Sequence, residues 1–340
     1  MLTTICTIRQ LPQALALGDS FAKNASETGG NLRPFVIGLA DNPAHIPANF
    51  QSPYPIWPIG DIIGAQELQT LSAKYTPTEF IAACKPALLR EIFRRLPDVD
   101  ELIYADPNVQ FFGSLAPVWQ QLQSANILLT PHITQAPPET VNNDRAWPDE
   151  KFFQNIGLYS ADFLAFKRSN ETDRMLAWWQ DRVQERAVVD FCVGLCTDQI
   201  WLMHVPVFFN GVKVIKEPGW HVAIWNLPQR PLYQQAGQWI LRAGKQPLLF
   251  ANFKGLYTWN EGFFPHQNRL NLKKRSELSL LMANYRNAVA KYQKPDFQNT
   301  VPAYGQQPEP IVLRGWRRAS VQVMRAVTTF VNQVPLPVLR

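Results

Sequence analysis

Cysteine is scarce, at four in 340 residues. Cys6, Cys84, Cys192 and Cys196 include no CxxC pair, so neither a disulfide scaffold nor a cysteine zinc site is supported. Cys192 and Cys196 lie four apart and read as two small hydrophobes on one helix face. Apolar runs are short too: none reaches about 18 residues, the length that spans a bilayer. The opening MLTTICTIRQ has neither the basic start nor the apolar run of a secretory signal. These absences lead us to expect a cytoplasmic, reduced protein. Several chemical signatures are also missing. No GxGxxG follows the first apolar segment, which weakens a dinucleotide-binding reading, and no GxxxxGK[ST] loop occurs. No GxSxG or HExxH occurs, which argues against common hydrolases and zinc proteases. With 46% hydrophobic and 18% charged residues, the composition is globular and excludes wholesale disorder.

Acidic residues are rare at one end. From Arg269 to Arg340 there are 12 basic residues against 3 acidic ones, while residues 1–268 hold 21 against 24. A near-neutral body with a basic tail suggests a surface for an anionic membrane or an acidic partner. The tail has no RNA-binding Gly-aromatic pattern, helix-turn-helix or finger, so no nucleic-acid partner is expected.

Short apolar segments alternate with helical periods along the first 130 residues. Strands are expected at 2–8, 34–40, 56–59, 101–105 and 126–130, and helices at 12–24, 61–73, 77–95 and 114–124. That alternation predicts an α/β fold with a mixed, mostly parallel sheet flanked by helices. Ligands of such sheets sit outside the carboxyl ends of the strands. Those ends here are Thr7 to Arg9, Asp41, Asp106 to Asn108, and Thr130 to His132. The run Ile103-Tyr104-Ala105-Asp106-Pro107-Asn108 is the most informative. Two oxygen-bearing side chains beyond an apolar strand can hold a divalent cation, which would neutralise a diphosphate. The competing reading is a strand-end turn in which Asp106 accepts backbone N–H bonds.

Further runs set this one in context. In order they are Tyr75…Glu79-Phe80…Lys85-Pro86, the Asp106 run, Leu128-Leu129-Thr130-Pro131-His132, and Gly157-Leu158-Tyr159-Ser160-Ala161-Asp162-Phe163. Trp178-Trp179, Thr197-Asp198-Gln199-Ile200-Trp201 and Pro218-Gly219-Trp220-His221-Val222-Ala223-Ile224-Trp225-Asn226-Leu227 follow. Their order and spacing resemble the bacterial nucleotide-sugar glycosyltransferases of the GT-A fold, with distant similarity to the glycogenin and lipopolysaccharide galactosyltransferase group. The resemblance runs from about residue 2 to about residue 290.

It implies a nucleoside diphosphate sugar as donor. Asp106 is then expected at the ribose or the metal, and Asn108 stands where a metal-binding Asp is usual. Lys85 is expected to point at the diphosphate or donor sugar, and Thr7 and Asp41 to border the nucleotide, with loop capping as the alternative for the last two. Asp198 and Gln199 are the catalytic candidates: a carboxylate there could act as general base on the acceptor hydroxyl or hold the acceptor sugar, and the alternative is a helix cap. Trp225 and Asn226 offer a stacking face beside an amide, suited to a sugar, unless Trp225 belongs to the core. His132 and Asp162 join them as acceptor-side candidates.

The sequence departs from the family at informative places. Asn108 replaces the second carboxylate, Ser160 and Asp162 replace Asn and Gly, and His221 replaces Asn. In Leu249-Phe250-Ala251-Asn252-Phe253-Lys254-Gly255, Asn252 takes a His place. An amide oxygen gives up the Coulomb attraction of a carboxylate. Lys254 is an added cation that could neutralise the diphosphate directly and is counted with the donor-binding residues. The implied cofactor is Mn²⁺ or Mg²⁺, with metal-independent transfer as the alternative.

The expected activity is sugar transfer from a nucleotide donor to a glycan or lipid-linked acceptor, in polysaccharide biosynthesis. The alternative is a non-catalytic glycan- or sugar-nucleotide-binding subunit of a polysaccharide-assembly complex. A nucleotidyltransferase is disfavoured by the lack of a Gly-rich, basic loop after the first strand. The expected organisation is a GT-A-like domain over 1–268, a basic helical extension over 269–297, a linker over 298–310, and a basic amphipathic helix and tail over 311–340. The tail suggests peripheral attachment at the inner face of the cell membrane.

Overall fold

Along the first strand, β1 (Leu2–Cys6), side chains alternate between two apolar layers. Ile5 joins one hydrophobic cluster; Leu2 and Cys6 join the other. All five residues are buried, as a strand covered on both faces must be. The computed structural model describes residues 1–25, 33–136, 150–258, 276–308 and 316–333. Beside β1 lie β2 (Phe35–Leu39), β3 (Ile56–Pro58), β4 (Glu101–Ala105), β6 (Ile127–Pro131), β7 (Tyr159–Lys167) and β10 (Val212–Val214). The order across this sheet is β10-β6-β7-β4-β1-β2-β3. Only β7 runs against its neighbours. The mostly parallel α/β sheet expected from the sequence is therefore what forms.

Helices cover both faces. Helices α1 (Leu11–Ala25) and α4 (Ala116–Ser124) supply Leu15, Phe21, Val118 and Leu122 to one layer. On the other side, α2 (Ala65–Lys74), α3 (Pro77–Arg95) and α6 (Asn170–Arg186) supply Leu71, Leu88 and Trp179. Helix α3 opens with a capping box. Glu79 N donates to Thr76 Oγ1 at 3.3 Å, Thr76 N donates to Glu79 Oε2 at 3.0 Å, and Pro77 follows the cap. The Tyr75 hydroxyl reaches the carbonyls of Val183 and Gln184 at 2.9 Å, which fixes α3 against α6.

A second sheet lies near the carboxyl edge of the first. Its order is β11 (Val222–Ala223), β14 (Phe250–Asn252), β5 (Val109–Phe111). Strand β5 continues directly from the Asp106 turn, and Asn252 pairs with Val109. Helix α8 (Ser276–Ala290) buries Leu278, Leu281 and Tyr285 beneath this sheet, with the Tyr285 ring stacked on Phe253 at 4.0 Å. Between these pieces lie α5 (Glu150–Ile156), α7 (Val205–Phe208) and the hairpins β8 (Val189–Asp190)–β9 (Leu195–Cys196) and β12 (Leu232–Gln235)–β13 (Gln238–Leu241).

Three expectations need correction. Cys192 and Cys196 lie on the β8–β9 hairpin rather than on one helix face. The first compact unit runs from Met1 to Gln307, well past the expected boundary at 268. Residues 303–307, expected within a linker, are strapped to the body. Ala303 N donates to Asp41 Oδ1 at 2.8 Å, Gln306 N to the Ser72 carbonyl at 2.7 Å and Gln307 N to the Tyr75 carbonyl at 3.0 Å. Helix α9 (Pro295–Asn299) inserts Phe297 against Phe50. The second unit, Pro308–Arg340, contains α10 (Trp316–Gln333). The expected helix start at Ile311 falls outside the described residues.

Candidate active site

Where β4 ends, β7 passes in the opposite direction, and this brings two carboxylates side by side. Ala105 pairs with Phe163, and Asp106 N donates to the Asp162 carbonyl at 2.8 Å. Lys254, three residues into the chain after Ala251 of β14, places its Nζ between them. It lies 2.6 Å from Asp106 Oδ2 and 2.5 Å from Asp162 Oδ1. Two asparagines complete the arrangement. Asn108 donates its backbone N–H and its Nδ2 to Asp106 Oδ1, at 2.9 and 3.1 Å. Asn252 Nδ2 donates to Asp162 Oδ2 at 2.8 Å, while its Oδ1 accepts the Lys254 N–H at 2.9 Å. The Asp106–Asn108 turn is thus an Asx turn and a cation seat at once.

The electrostatics follow from this packing. Burial pushes the Asp106 carboxyl up, Lys254 opposes that less strongly, and the charge of Asp162 adds to the rise. Burial would raise Asp162 too, but Lys254 and then Lys85 outweigh it and hold Asp162 well below the usual carboxylate range. Burial alone would lower the Lys254 ammonium, and the two carboxylates raise it instead.

A second ion pair lies behind the first. Lys85, from α3, puts Nζ 2.5 Å from Asp198 Oδ2 and donates to the Ala161 carbonyl at 3.0 Å, one residue from Asp162. Its ammonium lies 4.6 Å from the centre of the Tyr104 ring. Asp198 is fixed from behind by Trp179 Nε1, which donates to its carbonyl at 2.9 Å. Gln199 Nε2 donates to the Ile156 carbonyl at 2.7 Å, and its Oε1 accepts the Ala161 N–H at 3.3 Å. The backbone approaches closely here: a Cβ on Gly157, at φ +107°, would meet Gln199 O at 3.0 Å. Thr197, just before Asp198, and His221 both hold positive φ, at 47° and 55°. Non-glycine residues reach that region under constraint, and such residues gather at functional sites.

Several expected residues are placed otherwise. Asp41, fully buried, accepts backbone N–H groups from Ile8, Asn42 and Ala303 and ties loops together rather than facing a nucleotide. Thr7 is buried at the start of a short 3₁₀ turn, where its backbone N–H reaches Gln10 Oε1 at 3.3 Å. Asn226 accepts from Ala223 N at 2.9 Å and donates to the His132 and His221 carbonyls at 3.1 and 3.0 Å. Trp225 is 2% exposed, with its ring 5.0 Å from His132 and 5.3 Å from His221. No sugar-stacking face remains on that pair, which forms a wall behind the site. His132 is stacked on Phe153 at 5.0 Å. Asp162 belongs with Asp106 and Lys254 rather than on an acceptor face. The sequence reading missed Tyr285, whose hydroxyl reaches Asn108 Oδ1 at 3.4 Å. Its signal was the apolar period Leu278, Leu281, Tyr285, Val289 on α8.

The divalent ion implied at Asp106 and Asn108 does not fit these residues. Among the described residues no group of three or more His, Cys, Asp or Glu could hold a metal. The oxygens of Asp106 are engaged by Asn108 and by Lys254, so a divalent ion there would meet an ammonium at contact distance.

No protein-family model matches this chain. Two proteins of Bacillus subtilis (strain 168) are similar to it, each 24% identical: the uncharacterized proteins YfnF, over 52% of this chain and 57% of its own, and YfnD, over 56% and 58%. The chain therefore spans little more than half the length of these relatives. Among solved structures it is similar to the galactosyltransferase LgtC in complex with donor and acceptor sugar analogues. That match has 13% identity and a TM-score of 0.46, and covers 89% of this chain and 97% of the other. It is also similar to mouse xyloside xylosyltransferase 1, at 10% identity and a TM-score of 0.37, over 65% and 86% of the two chains.

Proposed function

We propose that this chain is a nucleotide-sugar-dependent glycosyltransferase of the GT-A type, moving a sugar to a hydroxyl of a glycan or lipid-linked acceptor. The observation that carries this reading is the Asp106–Lys254–Asp162 cluster. It sits at the carboxyl edge of a mostly parallel sheet, where such sheets bind nucleotides. In the reaction, the acceptor oxygen bonds to the anomeric carbon and the bond from that carbon to the phosphate oxygen breaks. The nucleoside diphosphate leaves with the electron pair, and the hydroxyl proton is lost to a base. Lys254 is the donor-side cation. Asp198 and Gln199 support the chemistry as positioning residues, because Lys85 covers the Asp198 carboxylate and Gln199 is bound to two backbone groups. The basic tail, by this reading, brings the enzyme to an anionic membrane that carries the acceptor.

Calorimetry with UDP- and GDP-sugars tests the proposal. Asp106→Ala should weaken donor binding by about tenfold or more while the circular dichroism spectrum is kept. Asp162 stays beside Lys254 in that variant, so the ammonium keeps a carboxylate partner. Unchanged donor affinity in that variant would sink the assignment. A second reading, a binding subunit without turnover, is favoured by one observation: asparagines stand at two places where stronger ligands are usual in the resembling family. Donor binding with no transfer to any acceptor in a panel would select it.

A further inference from the structure

We infer that Lys254 is the resident cation of this site, its ammonium standing between Asp106 and Asp162 in place of a divalent metal and meeting the diphosphate of the donor itself. The diphosphate part of this inference rests on the donor reading above; the cation part stands alone.

Three features carry it. First, the contacts are those of a cation between anionic ligands: 2.6 Å to Asp106 Oδ2, in the turn after β4, and 2.5 Å to Asp162 Oδ1, on β7. Second, the backbone is built to deliver the side chain. Asn252 is held in β14 by its pairing with Val109, Phe253 N donates to the Asn108 carbonyl at 2.9 Å, and Lys254 N donates to Asn252 Oδ1. The residues that would otherwise serve as metal ligands, Asn108 and Asn252, instead hold the lysine and its carboxylates in place. Third, access differs between the two lysines. The Lys85 side chain is 5% exposed and sealed against Asp198, whereas that of Lys254 is 22% exposed. An ammonium has three N–H donors. Among the described residues two are directed at Asp106 and Asp162, and the third is the one offered to an incoming phosphate oxygen.

The charges also predict what removal does. Without the ammonium, two carboxylates face each other at the seat, with the Asn108 and Asn252 amides and the His221 ring around them. The amides turn their NH₂ groups toward the carboxylates, so the ligands on offer are the carboxylate oxygens, which suit Mn²⁺. Lys254→Ala should therefore leave the two carboxylates open to Mn²⁺.

The experiment uses the full-length protein and Mn²⁺ alone, read by the electron paramagnetic resonance signal of the free ion. The native protein should leave that signal unchanged at concentrations where Lys254→Ala removes one equivalent. Adding Asp106→Asn to that variant should restore the signal. Calorimetry with UDP and GDP supplies the second readout. Nucleotide affinity of the native protein should be the same in EDTA and in Mn²⁺. In Lys254→Ala it should fall by about tenfold or more in EDTA and recover in part with Mn²⁺. Lys254→Arg, which keeps the charge, should remain indifferent to chelation. One equivalent of Mn²⁺ bound by the native protein through Asp106 would overturn the inference without any variant. A nucleotide affinity lost on chelation would do the same. Absence of nucleotide binding together with the expected Mn²⁺ behaviour would overturn the donor reading and support the cation assignment.

Discussion

His132 and His221 flank the site, and burial keeps both neutral. It pulls His132 down to about 4 and His221 to about 3. Thr130 Oγ1 lies 2.8 Å from His221 Nδ1, and His132 packs between Phe153 and Trp225. The unfolded chain titrates its imidazoles near 6.5. Below that pH it binds protons that the folded chain refuses, so stability falls as pH drops from about 6.5 toward 4. Between pH 7 and pH 5 the loss should be roughly 2 kcal/mol for each buried imidazole. Urea denaturation at the two pH values checks this, and a midpoint that does not move would show that the imidazoles are protonated in the fold. The same residues mark what a sequence reveals at this scale. Asp106 and Lys254 were legible because a strand-end carboxylate and an added cation in a recognisable run are local features. The packing of Trp225 and Asn226 was not, because an indole beside an amide reads alike whether it faces a sugar or a wall. Only burial by residues far along the chain separates the two.

Elements were readable wherever a period could build up. The long helices and the five strands expected in the first 130 residues fall within a few positions of their expected bounds, although α2 begins only at Ala65. The second sheet was not readable, since strands of two or three residues carry no alternation. The strap at 303–307 was misread for a related reason: Pro, Gln and Gly signal a turn or linker, and what fixes them here is tertiary. Gly305 holds φ +81°, and a Cβ there would lie 2.4 Å from Pro77 N. Both the left-handed backbone and the backbone contact with α3 therefore require glycine. Gly305→Ala should destabilise the first unit by about 2 kcal/mol or more, combining the conformational penalty with the clash. The amides of Gln306 and Gln307 should lose hydrogen-exchange protection first, because they are the strap's bonds to Ser72 and Tyr75. Unchanged exchange at those amides would mean that the strap does not depend on this close approach.

At the scale of the whole molecule, charge and amphipathicity meet in the second unit. The body over residues 1–268 is slightly acidic, and the basic excess lies beyond it. Helix α10 spans Trp316–Gln333. By sequence alone, at 100° per residue from Arg325, positions 317 and 318 fall within about 80° of the reference, and Trp316, Val323, Val327 and Phe330 fall between about 140° and 200°. A basic face opposite an apolar one with two aromatics is the profile of a helix lying in a membrane interface. Among the described residues no helix is long and apolar enough to cross a membrane, so spanning is not the geometry on offer from α10. Each arginine near an anionic surface contributes about 1 kcal/mol, and salt screens that attraction within a Debye length. Full-length protein should therefore sediment with anionic liposomes at low salt and much less at high salt, and should ignore zwitterionic ones. Truncation after Pro310 should abolish sedimentation while leaving donor binding intact, because the cluster of Asp106, Asp162 and Lys254 lies wholly within the first unit. If the full-length protein stays in the supernatant with anionic liposomes at low salt, the membrane reading fails. If truncation unfolds the first unit, the apolar face of α10 serves the fold rather than a lipid surface.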